Sequence, residues 1–295
     1  MSIDTPLARA AEAAINLKLG NIEKLPQPKQ TTIVTIANQK GGVGKTTTAV
    51  NLAAALAKHG LSILVIDTDP QGNASTALNI DHRAGTPDVY SVLVEEVDFS
   101  EVIKPVAEFE NLFCAPATID LAGAEIELVS LVAREYRLQK ALNKYLEFHK
   151  QKHQKQLDYV FIDCPPSLGL ITLNALVAAQ EVLIPIQTEY YALEGLGQLM
   201  NNVNLVKKQL NPQLEVATIV LTMFDSRTNL SQQVAEEVRK HFGDIVITTE
   251  VPRAVRVSEA PSFQQTVITY DPGSPGAQAY IKVAKEFAQR HSGVS

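Results

Sequence analysis

Residues 40–48 read KGGVGKTTT and stand between the apolar run Ile33-Val34-Thr35-Ile36-Ala37 and the helix-forming run from Thr47 to Lys58. A loop where a strand turns into a helix meets the positive end of the helix dipole and a set of uncommitted backbone N–H groups, which together suit an anion. Gly41, Gly42 and Gly44, with Val43 among them, let this backbone curl with its N–H groups inward. Lys45 adds a mobile ammonium and Thr46 a hydroxyl suited to a magnesium ion. The stretch reads as a cradle for a nucleotide triphosphate.

The ordinary phosphate loop G-x-x-x-x-G-K-[ST] begins on a glycine, but Gln39 fills that position here and a second lysine, Lys40, follows it. The resulting deviant Walker A loop, K-G-G-x-G-K-T, resembles the signature of the ParA/MinD group of dimerising P-loop ATPases.

Outward from the loop, apolar runs at 31–38, 62–67, 111–115, 157–163, 181–187, 215–222 and 245–249 predict strands. Helical patterns at 45–59, 120–129, 134–150, 168–179, 192–210, 230–242 and 276–290 predict the helices between them. The strands are apolar and β-branched without clean alternation, as when helices cover both faces of a sheet. The expectation is an α/β fold: a doubly wound, mostly parallel sheet flanked by helices, with functional loops at the strands' carboxyl ends.

The chain has 295 residues, 45% of them hydrophobic, enough for a substantial core. One ATPase domain over 31–295 is expected, preceded by an N-terminal extension at 1–30. There LARAAEAAINLKL predicts a short amphipathic helix and LPQPKQ a linker. No run approaches the ~18 apolar residues of a membrane span, and no signal-peptide pattern opens the chain, so a cytoplasmic protein without membrane partners is expected. Cys114 and Cys164 lack C-x-x-C spacing and read as small buried hydrophobes in a reducing compartment. His149 and His153 are four apart but lack the Glu of H-E-x-x-H, so no metal site is expected there. A net charge of −6 confines any nucleic-acid binding to a local basic patch.

Two acidic elements complete the site. LSILVIDTDPQGNAS at 61–75 is an apolar strand ending in Asp67 and Asp69, which share a face of extended backbone. One carboxylate can hold magnesium or its water shell while the other orients an attacking water. LDYVFIDCPPSLG at 157–169 ends an apolar strand at Asp163, the form of a Walker B acid that supports magnesium beneath the phosphates. Pro165, Pro166 and Gly169 then shape a loop able to respond to the γ-phosphate.

Across about 260 residues, seven blocks occur in order: ANQKGGVGKTTTAVNLAAALA, VIDTDPQGNAS, LAGAEIELV, DYVFIDCPPSLG, YYALEGLGQL, LTMFDSRTNLSQQVAEEV and VPRAVRVSEAPSF. Together they resemble the ParA/Soj chromosome-partitioning ATPases. The resemblance implies an ATP hydrolase using ATP and Mg2+, forming a nucleotide-sandwich homodimer, binding double-stranded DNA without sequence preference and associated with the nucleoid. It also implies a ParB-type centromere-binding partner that stimulates hydrolysis during chromosome or plasmid segregation. Carried over by residue, Lys40 reaches the partner subunit's phosphates, Lys45 grips the β and γ groups, and Thr46 ligates magnesium. Thr47 meets the α-phosphate and Asp69 positions the hydrolytic water. Arg227, Arg256 and Arg253 are implied DNA-phosphate contacts, and Met223 and Pro252 walls of the adenine pocket. A MinD-like membrane-cycling ATPase shares the loop and is the alternative, but KVAKEFAQRHSGVS at the C-terminus offers only Val283, Ala284 and Phe287 as a core-facing stripe. An electron-transfer ATPase with a shared metal cluster would need ligating cysteines that two unrelated cysteines do not provide.

Overall fold

The computed structural model describes residues 23–190 and 194–292. The helix expected within 7–19 lies outside them. Seven strands form one sheet: β1 (Thr32–Ile36), β2 (Ile63–Asp67), β3 (Lys104–Pro105), β4 (Leu112–Ala115), β5 (Tyr159–Asp163), β6 (Glu181–Gln187) and β7 (Glu215–Thr222). Their order is β3-β4-β2-β5-β1-β6-β7, and every pairing is parallel except that of the two-residue edge strand β3 with β4. The doubly wound parallel sheet expected from the sequence is present, with β3 as an addition that two residues were too few to signal.

The missing alternation has the expected cause. Tyr159 and Phe161 of β5 enter one hydrophobic core, while Val160 and Ile162 enter the other, so successive side chains are buried on opposite faces. Helices α1 (Lys45–Lys58) and α6 (Pro275–His291) cover the Tyr159 face. On the opposite face lie α2 (Arg137–His153), α3 (Leu170–Ala178), α4 (Glu194–Gln209) and α5 (Asn229–Phe242). Val283, Ala284 and Phe287 are fully buried, so the apolar stripe of α6 is spent on the core. Among the described residues no helix is long and apolar enough to cross a membrane.

One expected strand is not there. Residues 243–245 form a 3-10 turn, and the run at 245–249 makes only one bridge, Val246 to Ile219. The Ile247 and Val251 N–H groups still donate to the β7 carbonyls of Ile219 and Leu221 (2.8 Å each), but between them the Thr248 N–H goes to the Glu286 carboxylate of α6 (2.9 and 3.0 Å), and no ladder forms. An apolar run cannot reveal that one of its N–H groups will go to a side chain 38 residues away.

His149 is a core residue, edge-on to Phe113 with ring centroids 5.6 Å apart. Burial, aided by the charge of His153, pushes its pKa down to about 4. The unfolded chain therefore takes up this proton first as pH falls, and folding free energy is lost between about pH 6.5 and 4. Thermal melts of His149→Phe at pH 7 and pH 5 should show a smaller difference in Tm than wild type. An unchanged difference would assign the acid sensitivity to other groups.

Candidate active site

β1 lies mid-sheet between β5 and β6, so the loop after Ile36 emerges at the centre of the carboxyl edge. Asn38 fixes its start: the side-chain amide donates to the Pro185 carbonyl (2.8 Å) and its oxygen accepts the Lys40 N–H (3.0 Å). From the far side, the Thr222 hydroxyl at the end of β7 donates to the Val43 carbonyl (2.8 Å). Between these ties Gly42 and Gly44 take φ of +74° and +89°, a region that a Cβ would strain. Helix α1 starts at Lys45 with no side-chain cap and no acidic residue in its first turn. Its leading N–H groups and dipole are thereby left for an anion.

Lys45 is buried, and its ammonium donates to the Lys40 carbonyl (3.3 Å). Burial lowers its pKa, an effect opposed by the charges of Asp163, Cys164 and Asp69. Asp67 and Asp163 end the adjacent strands β2 and β5 in direct register, both without solvent exposure. Their surroundings differ. Asp67 accepts the Ser75 N–H (2.8 Å), the Ser75 hydroxyl (2.7 Å) and the Asp69 N–H (3.2 Å). Burial still pushes its pKa up to about 6. Neither Asp163 oxygen has a hydrogen-bond partner of normal geometry. Burial, then the charge of Asp67, pushes this carboxyl well up, with the nearby Thr46 hydroxyl opposing.

A buried carboxylate without partners is costly, and a cation would offset that cost. Magnesium keeps most of its shell as water and phosphate oxygens, needing one or two carboxylates from the protein. Asp163 beside Thr46 meets that requirement, and among the described residues no cluster of three His, Cys, Asp or Glu side chains stands ready to hold a metal alone. Asp69 is half-exposed at the mouth, with its carboxylate accepting the Gln71 N–H (3.0 Å). Thr47 and Gly44 open onto a cavity of about 150 Å³ that Met223 and Pro252, far along the chain from the loop, also line.

The four further cations are exposed or partly so, and each faces a carboxylate. Lys40 Nζ lies 3.3 Å from Glu189, which also faces Arg253 at 3.7 Å. Arg227 pairs with Asp225 (2.8 Å), and Arg256 with Glu259 (2.9 Å) and Asp271 (3.5 Å). The sequence reading missed Glu189, Ser75 and Thr222. Ser75 and Thr222 stand within quoted blocks and Glu189 just outside one, and each acts through a contact that its block does not show.

A family profile described as an AAA domain matches residues 31–216. The chain is 54% identical over 256 residues to the sporulation initiation inhibitor protein Soj of Bacillus subtilis, covering 87% of this chain and 98% of that one. It is 50% identical over 258 residues to the chromosome partitioning protein ParA of Myxococcus xanthus, covering 88% of each. The chain belongs to the Soj/ParA family of chromosome-partitioning ATPases. As a Soj/ParA ATPase it hydrolyses ATP, with ATP and magnesium as its cofactors. Among solved structures, this Soj/ParA chain resembles cobyrinic acid a,c-diamide synthase of Mycobacterium smegmatis with bound ADP and magnesium. The TM-score is 0.76 at 35% identity, covering 90% of this chain and 97% of that one.

Proposed function

We propose that this ATPase is a nucleotide-operated switch that dimerises on ATP, binds double-stranded DNA without sequence preference in that state, and releases it after hydrolysis stimulated by a ParB-type centromere-binding partner. The observation that carries this reading is the second lysine. Lys40 stands at the mouth of the loop on a partly exposed ion pair, its side chain 37% and that of Glu189 46% accessible. Such a pair holds its members by about 0–1 kcal/mol. The Lys40 ammonium is therefore cheap to transfer to the phosphate charge of a second subunit, which would make ATP the glue of the dimer.

Within one subunit we assign Lys45 to the β- and γ-phosphates, Thr47 to the α-phosphate, and the N–H groups of Gly41, Gly42, Val43 and Gly44 to the phosphate oxygens. Thr46 and Asp163 would hold magnesium, which when bound neutralises phosphate charge and fixes the β- and γ-oxygens in place. Asp67, its oxygens engaged by Ser75 and Asp69, backs this pair rather than leading it. Asp69 orients the hydrolytic water, and Met223 and Pro252 flank the base. Residues 31–295 form the ATPase domain in this reading, residues 1–30 an extension, and the protein works in the cytoplasm on the nucleoid.

Arg227, Arg256 and Arg253 are the DNA contacts. Arg227 is 86% exposed, so its pairing with Asp225 is weak and can be exchanged for a phosphate. The testing experiment is duplex-DNA binding with ATP, with ADP and without nucleotide, for wild type, Arg227→Glu and Arg256→Glu. Binding should require ATP and fall with salt by a log–log slope of about −0.9 per phosphate contacted. Each reversal should weaken it on the order of tenfold or more while ATP affinity is kept. DNA binding independent of nucleotide, or equal in both reversals and wild type, would refute the reading.

A further inference from the structure

The block LAGAEIELV at 121–129 gives no side chain to the phosphate cradle, yet one of its residues holds the segment that follows Asp163. β5 ends at the unpaired Asp163, the chain crosses 164–169, and α3 begins at Leu170. No residue of the α3 segment caps that helix, and its first turn contains no acid. The cap comes from outside: the Glu125 carboxylate accepts the N–H groups of Leu170 (2.8 Å) and Ile171 (3.3 Å).

Gly169 has the corresponding shape. Its φ of −81° is open to any residue, so backbone freedom does not call for glycine here. Contact does: a Cβ at Gly169 would stand 2.5 Å from the Glu125 carboxyl carbon. The helix carrying Glu125, Leu121–Glu127, is itself anchored, with Leu121 and Ala124 fully buried. Just before it Thr118 is bound through its N–H (3.1 Å) and hydroxyl (2.8 Å) to the buried Asp88 carboxylate. Glu125 thus ties a fixed support beyond β4 to the far end of the loop whose near end is Asp163.

We infer that Glu125 is a positioning residue for ATP hydrolysis: through the N-terminus of α3 it holds the 164–169 loop, and with it Asp163, in the place from which Asp163 meets the metal–phosphate group. The inference rests on the placement of that group against Asp163 proposed above. Gly169 serves it by leaving room for the carboxylate. Because Lys45 and the loop N–H groups grip the nucleotide independently, losing the tie lowers kcat and alters the dependence on Mg2+ more than it alters ATP affinity.

The test is steady-state ATP hydrolysis as a function of ATP and of Mg2+ for full-length wild type, Glu125→Ala, Glu125→Gln, Gly169→Ala, the double variant Glu125→Ala/Gly169→Ala, and Asp163→Asn, with Tm recorded for each. Glu125→Ala and Gly169→Ala should each lower kcat about tenfold, the rate equivalent of one capping contact, with KM for ATP nearly unchanged and more Mg2+ needed. Glu125→Gln, whose amide oxygen still accepts one N–H, should recover part of the rate. The double variant should be no worse than either single change, since both break one contact. Wild-type kcat and Mg2+ dependence in Gly169→Ala and Glu125→Gln would overturn the inference, as would strict additivity in the double variant. If Glu125→Ala fails to fold, those two milder variants decide alone. Should Asp163→Asn keep wild-type Mg2+ dependence, the metal placement itself fails. A defective Asp163→Asn beside normal Glu125 and Gly169 variants removes only the role of Glu125.

Discussion

Lys45→Ala is expected to lose ATP affinity on the order of a hundredfold or more, and ATP hydrolysis with it. Lys45 is a buried ammonium facing Asp163 and Asp69, both near the predicted phosphate position. Its removal leaves a triphosphate and a buried carboxylate pair short of one positive charge in a place that water reaches poorly, where each uncompensated charge costs far more than at the surface. Helix α1 should survive, because alanine is the better helix former and its packing rests on apolar residues such as Leu52 and Leu56. Calorimetric titration with MgATP and phosphate-release assays on a variant of near-wild-type Tm would check this. ATP affinity within about threefold of wild type, an effect of under about 0.7 kcal/mol, would sink the phosphate-loop assignment.

Lys40→Ala should separate the two lysines. Lys40 shares its loop with Lys45, but its ammonium rests on Glu189, partly in solvent, while Lys45 is buried by Asp163. Removing Lys40 should leave ATP binding to the monomer within about threefold of wild type. ATP-dependent dimerisation should be lost, and hydrolysis should fall on the order of a thousandfold, the scale of a cationic finger supplied by a partner subunit. Light scattering with and without ATP, paired with nucleotide titration of the same preparation, distinguishes the cases. If monomer affinity falls as far as in Lys45→Ala, Lys40 serves its own nucleotide and the trans role is wrong.

The site residues divide by how far their partners lie along the chain. The phosphate loop was legible because its parts are contiguous: the glycine torsions, the helix start and Lys45 all fall within nine residues. Asp67 and Asp163 were legible as acids closing apolar strands. Their inequality was not, since Ser75 and Asp69 occupy the oxygens of one and no hydrogen bond of normal geometry reaches those of the other. Met223 and Pro252 entered through resemblance to a family, and no local pattern connects them to Thr47.

By itself the sequence determined the α/β class, six of the seven strands and the phosphate loop, because local torsions, hydrophobic runs and a contiguous motif carry those properties. It overstated 245–249, where the run touches β7 through one bridge and Thr248 turns its N–H to a side chain of α6. Only the tertiary structure decided which buried carboxylate is left unpaired and which residues steady the loops around it. Thr222 meets Val43 across 179 positions, Glu189 meets Lys40 across 149 and Glu125 meets Leu170 across 45. Such contacts arise when parallel strands bring their carboxyl ends to one edge, and no local preference of the chain encodes which side chains will then be within hydrogen-bonding distance.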